Sequence, residues 1–112
     1  MIKPDDPKDL VINLMPRSIC SVQVASVITD RKGNIISWGW NNMGPTGYGI
    51  CAERHAISRG NRGRYKYGTI YVAGRYARNN HPVNAVPCDL CQAQIEAYRM
   101  TVRFRNRKGE WV

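Results

Sequence analysis

Residues 21–59 read SVQVASVITDRKGNIISWGWNNMGPTGYGICAERHAISR, and the order of patterns in this stretch decides the fold. Ser21 to Asp30 is rich in β-branched residues. Arg31-Lys32-Gly33-Asn34 supplies turn chemistry, and Ile35 to Trp40 alternates Ile36, Trp38 and Trp40 on one face, so the run predicts a β-hairpin. Asn41 to Gly49 holds three glycines and Pro45, which predicts a loop. Cys51 to Arg59 is helix-prone and stops at Gly60. Both tryptophans are expected in the core, as strand aromatics usually are.

Outward from this stretch the pattern continues. Asp5 to Arg17 places Leu10, Val11, Leu14 and Met15 on one helical face, with Pro16 marking the end. Downstream, Asn61 to Gly68 is a basic, glycine-rich connection, Thr69 to Ala73 reads as a buried strand, and residues 74–87 read as a long loop. Asp89 to Met100 predicts a helix with Ile95 and Tyr98 inward, and Thr101 to Arg105 a last strand. Lys108-Gly109 then allows a turn, after which Trp111-Val112 either adds a very short antiparallel strand or frays. The order α-β-β-α-β-α-β implies an α/β fold in three layers, α-β-α. Its mixed sheet has four to five strands, a parallel central part and helices on its faces.

With 112 residues, 43% hydrophobic and 22% charged, the chain has the makings of one domain, residues 1–112, without need of disulfide staples. No apolar run nears the roughly 20 residues of a membrane span, and Pro4, Asp5, Asp6 and Pro7 do not suit a signal peptide. The expected setting is therefore the cytoplasm, without membrane attachment, where spaced cysteines point to metal or catalysis. Residues 51–112 carry eight of the nine net positive charges, which favours an anionic partner: nucleic acid or a phosphorylated small molecule.

Cys51-Ala52-Glu53 opens one predicted helix, and Cys88-Asp89-Leu90-Cys91, behind Pro87, opens another. Cys88 and Cys91 stand three apart, on one side of a first helical turn, where two sulfurs can bind one ion about 2.3 Å away. Cys51 supplies a third ligand, and both helix N-termini favour thiolate over thiol. Three protein ligands leave the fourth tetrahedral position for water, as in a catalytic zinc site. If Cys20 joined, the site would be a closed four-cysteine knot, but it lacks CxxC spacing. A buried apolar thiol is the plainer reading for it.

CAER followed by PCxxC resembles the cytidine deaminase superfamily, specifically its nucleoside branch, in which cysteine opens the motif. The resemblance covers residues 20–105. It implies one Zn²⁺ per chain held by Cys51, Cys88 and Cys91, and hydrolysis in which metal-activated water attacks the amino-bearing carbon of cytosine. Glu53 would take the water proton and deliver protons to the ring nitrogen and the leaving ammonia. Three thiolates make the metal a poorer Lewis acid, and in similar enzymes the arginine after the glutamate hydrogen-bonds them, a role that falls to Arg54 against Cys88 and Cys91. The matching position implies no metal ligation for His55.

The resemblance also implies that Asn41, with Asn42 second, hydrogen-bonds the sugar, and that the backbone of Ala52 and the carbonyl of Val86 read the base edge. Met43 stands where nucleoside-type enzymes carry a sugar-gripping glutamate, which weakens the free-nucleoside reading. Arg59, Arg62, Arg64 and Lys66, and again Arg103, Arg105 and Arg107, are cations able to track phosphates. The leading expectation is a deaminase of a cytosine nucleoside or nucleotide, working as a homo-oligomer whose neighbours complete the pocket. Deamination of cytosine, or adenine, within single-stranded DNA or RNA is the second. A zinc-bearing module that binds without chemistry is the third.

Overall fold

A computed structural model describes residues 6–43 and 49–112. Its elements run α1 (Pro7–Leu14), a 3₁₀ turn at Met15–Arg17, β1 (Val22–Thr29), β2 (Ile35–Trp40) and α2 (Ala52–Arg59). After a second 3₁₀ turn at Arg62–Arg64 come β3 (Thr69–Tyr76), β4 (Pro82–Val83), α3 (Asp89–Ala97) and β5 (Thr101–Phe104). The sheet has five strands in the order β2-β1-β3-β4, with β5 also paired to β3. The fold class expected from sequence holds: a mixed sheet between helices.

Alternation along the strands builds two cores. From β1 and β3, Ala25, Val27 and Ala73 meet Val11, Leu14 and Met15 of the α1 region on one face. Ile28, Ile70 and Val72 meet Ala56 and Ile57 of α2 and Ile95 of α3 on the other. Each buried isoleucine contributes about 1.5–3 kcal/mol on leaving water. α1 starts where the Asp6 side chain accepts the Lys8 N–H and Pro7 fixes the first turn.

The position of α2 is set at closer range. Ser26 Oγ of β1 donates to the Ala52 carbonyl at 2.8 Å, and Ser37 Oγ of β2 donates to the Ala56 carbonyl at 2.6 Å. Gly39 lets helix and strand touch: a Cβ there would lie 2.5 Å from the Ala56 nitrogen and 2.9 Å from the Ala52 oxygen. α3 ends earlier than the predicted Met100, because Arg99 turns left-handed at φ 55° while the Met100 N–H bonds the Ile95 carbonyl at 3.1 Å. Buried Met100 then packs back on the core, as such helix ends require.

Further expectations need correction. The strand predicted to stop at Ala73 continues to Tyr76, and the supposed loop after it contains β4, which pairs Val83 with Gly74 and Pro82 with Arg75. The central pair β1–β3 is antiparallel; parallel pairing occurs between β3 and β5. The α2 crossover does join two strands of like direction, β2 and β3, but the antiparallel β1 lies between them. Trp38 is not core: it is 38% exposed, with the Arg59 guanidinium 5.6 Å from its ring centre. Trp40 is half-buried against the α1-side core. Of the two outcomes expected for Trp111-Val112, the structure gives the pairing in its smallest form, an isolated antiparallel bridge between Arg105 and Trp111. Most of the loop predicted over residues 41–49 lies outside the described residues, although Asn42 and Ile50 bridge its two ends.

Candidate active site

Because β2, β3 and β5 run one way and α2 and α3 run back against them, both helices begin at the same end of the sheet. Cys51 is the N-cap of α2 and Cys88 the N-cap of α3, and Cys91 follows in the first turn of α3. The three Sγ atoms lie within 4.8 Å of one another, among the described residues the one such group able to hold a metal. Thiolates bonded at about 2.3 Å to a single tetrahedral ion fit within that span.

The electrostatics also fit a cation. The backbone N–H of Cys91, and then that of Leu90, favour the thiolate of exposed Cys88 and draw its pKa below the ordinary value. Burial pushes the Cys51 thiol up, with the charges of Cys88 and Glu53 adding to the effect. Burial, followed by the charge of Glu53, pushes buried Cys91 up as well. Negative groups crowded this closely are relieved by a divalent ion, which is the chemistry of a three-thiolate zinc site.

Glu53 stands in the first turn of α2, 5% exposed, and burial raises its carboxyl pKa. It opens on a cavity of about 450 Å³ shared with Cys51 and Cys88. Val22, Val24, Val72 and Val83 make apolar walls, and Asn41, Met43, Ala52 and Val86 also line the cavity. Apolar walls with a few polar groups at one end are the make-up of a small-molecule site.

The model of the cytidine and deoxycytidylate deaminase zinc-binding region matches residues 8–104. The chain belongs to this deaminase family. Its fold is similar to that of cytidine deaminase from Mycobacterium leprae, with TM-score 0.64 and 18% identity over 97% of this chain and 92% of that one. Cytidine deaminase from Burkholderia pseudomallei gives 0.65 and 19%, over 99% and 91%. Among curated proteins none matches.

Around the deaminase's cysteines and Glu53, the other residues singled out from sequence are placed unevenly. Ala52 lines the cavity with its carbonyl engaged by Ser26, and Val86 lines it at 53% exposure. Asn41 lines it too, but its carboxamide is committed to the sheet. Its Oδ1 accepts from Ser18 Oγ at 2.6 Å and from the Val24 N–H at 2.9 Å, and its Nδ2 donates to the Val22 carbonyl at 2.8 Å. Exposed Arg54 faces the outer side of the cluster, in a groove shared with Cys51, Cys88, Cys91, Leu90 and Gln94. Among the described residues it makes no hydrogen bond to a sulfur.

His55 points away from the cluster. Its Nδ1 lies 3.1 Å from the Trp40 backbone nitrogen and 3.0 Å from the Trp40 oxygen, and its ring stands edge-on to the indole at 4.9 Å. Cys20 also stays outside the cluster, lining the cavity with Sγ 3.9 Å from the Asn41 carbonyl oxygen. Sequence reasoning missed Ser18 and Ser26, which hold Asn41 and Ala52. Their partners lie 23 and 26 residues away, and serines in or beside a strand carry no local signal of such bonds.

Proposed function

We propose that the chain is a hydrolytic deaminase that converts the cytosine base of a nucleoside or nucleotide to uracil with release of ammonia. The observation that carries this reading is a buried carboxyl, Glu53, on the same cavity as Cys51 and Cys88, whose thiols converge with that of Cys91. Cys51, Cys88 and Cys91 hold one zinc ion, which, when bound, supplies a water activated for attack. The valine walls take the flat base and exclude bulk water, while the Ala52 and Val86 backbone groups read its edge.

Glu53 moves two protons. Water adds to the amino-bearing carbon, and Glu53 carries its first proton to the adjacent ring nitrogen. It then carries the second to the amino group, which leaves as ammonia while the carbonyl forms. Burial, by raising the Glu53 pKa, keeps the carboxyl able to give back what it takes. Exposed Met43 and Val86 at the mouth support the further reading that copies assemble and cover this edge.

The test is to incubate zinc-loaded protein with cytidine, deoxycytidine, their monophosphates and a cytosine oligonucleotide, measuring uracil products and ammonia. Turnover of at least one is expected, reduced about 10²- to 10⁴-fold in Glu53→Ala at unchanged zinc content. Failure on every substrate, or full activity of Glu53→Ala, would overturn the proposal.

A further inference from the structure

The mouth of the cavity carries a feature that the chemistry above does not use. Tyr76 is the last residue of β3, two positions beyond Gly74, and faces Val22 of β1 across the ladder. The residue is 39% exposed, and the Arg78 guanidinium lies 5.3 Å from the centre of its ring. Tyr76 forms a ridge between two grooves. One, about 560 Å³, contains His81 and Arg107 and shares Val83 and Asn84 with the base cavity. The other, about 580 Å³, contains Ser21 and Arg78 and shares Val22 with it.

Neither groove is lined by an acidic residue. From Arg54 to Cys88 the chain has no Asp or Glu at all. The ion pair found among the described residues, Arg64 with Asp30, belongs to the hairpin turn region and leaves Arg78 and Arg107 with no acidic partner. Cations therefore stand on both sides of an exposed aromatic ring at the rim of a base-sized cavity. A lone nucleoside needs none of them, and the phosphate of a mononucleotide would use one groove. A strand whose target base is turned into the cavity runs along both and leaves a neighbouring base to stack on the ring.

We propose that the Tyr76 ridge with Arg78, His81 and Arg107 binds the backbone and a neighbouring base of a single-stranded nucleic acid, so that the target cytosine is presented within a strand. The proposal rests on the reading of the cavity as a cytosine site and extends it to the substrate class.

The experiment compares kcat/KM for cytidine, its monophosphates and short single-stranded DNA and RNA containing one cytosine. It uses the zinc-loaded wild type and a Tyr76→Ala, Arg78→Ala, Arg107→Ala triple variant. The strand is expected to be the preferred substrate, and the ratio of strand to cytidine kcat/KM to fall tenfold or more in the variant. In parallel, binding of a fluorescent strand to Glu53→Ala protein is followed across salt. Adding the three rim substitutions should lower the slope of log affinity against log salt by about 1.4, two phosphate contacts' worth. A monophosphate or cytidine turned over as well as the strand overturns the proposal, as does a variant that keeps the wild-type ratio and slope. If nothing is turned over, the function proposed above fails and the binding arm alone decides. A reduced slope then upholds the strand site, and an unchanged one removes it.

Discussion

Arg54 is the residue at which charge and metal affinity meet. Its guanidinium shares a groove with all three thiols, and three thiolates around a divalent ion carry a net negative charge that a nearby cation offsets. Arg54→Ala should therefore weaken zinc retention about 10-fold or more in competition with a chelator, measured by metal content. An affinity equal to wild type would show the side chain to be a bystander. The gathering of Cys51, Cys88 and Cys91 is legible in the sequence, because positions 88 and 91 share a helical face and both segments are helix starts. Asn41 is the opposite case. The family resemblance marks it as a pocket asparagine, while its committed hydrogen bonds come from Ser18, Val22 and Val24, which only the folded sheet brings alongside.

Among the elements, α2 is the one on which the site depends most, and Gly39 governs its approach. In Gly39→Ala the new methyl would meet backbone atoms on both sides of the helix turn, which cannot swing away as a side chain would. The expected cost is about 1–3 kcal/mol of stability, seen in thermal melts, together with lower activity, because Cys51 and Glu53 ride on the same helix. The hairpin turn between β1 and β2 has its own anchor. The backbone N–H of Asn34, helped by the Arg64 guanidinium and the Lys32 N–H, draws the Asp30 carboxyl down from 3.8 to about 2. A depressed carboxyl stabilises the fold above its ordinary pKa and loses that contribution as pH falls toward 2. Acid unfolding followed by circular dichroism should thus steepen between pH 4 and 2 in the wild type and less so in Asp30→Asn. Identical profiles would refute this role. The hairpin, α2 and the outer helices follow from periodicity and turn residues. β4 escapes because two residues carry no period, and the antiparallel β1–β3 pairing escapes because connection order alone does not say which strand lies between two others.

For the whole molecule, zinc is expected to act as a structural partner as well as a chemical one. At free zinc 100 times its dissociation constant, binding to the folded state alone adds about 2.7 kcal/mol. Stripping the ion with a chelator should lower the melting temperature by about 10 °C, and re-addition should restore it; a melt indifferent to chelation would exclude the coupling. What composition reveals at this scale is the surplus of positive charge. Where the cations gather is not legible from spacing, since Arg107 joins Tyr76 and Arg78 at one rim only through the pairing of β5 with β3. The distance along the chain between Cys51 and Cys88 has one more effect. Closing a segment of about 37 residues in an unfolded polymer costs on the order of 4 kcal/mol of entropy, so an ion gripped at both ends works as a reversible clasp around β3 and β4. Refolding with zinc present from the first instant should then proceed from a shorter, looped ensemble. Its rate should differ from that of a chain given the ion only after the sheet has formed.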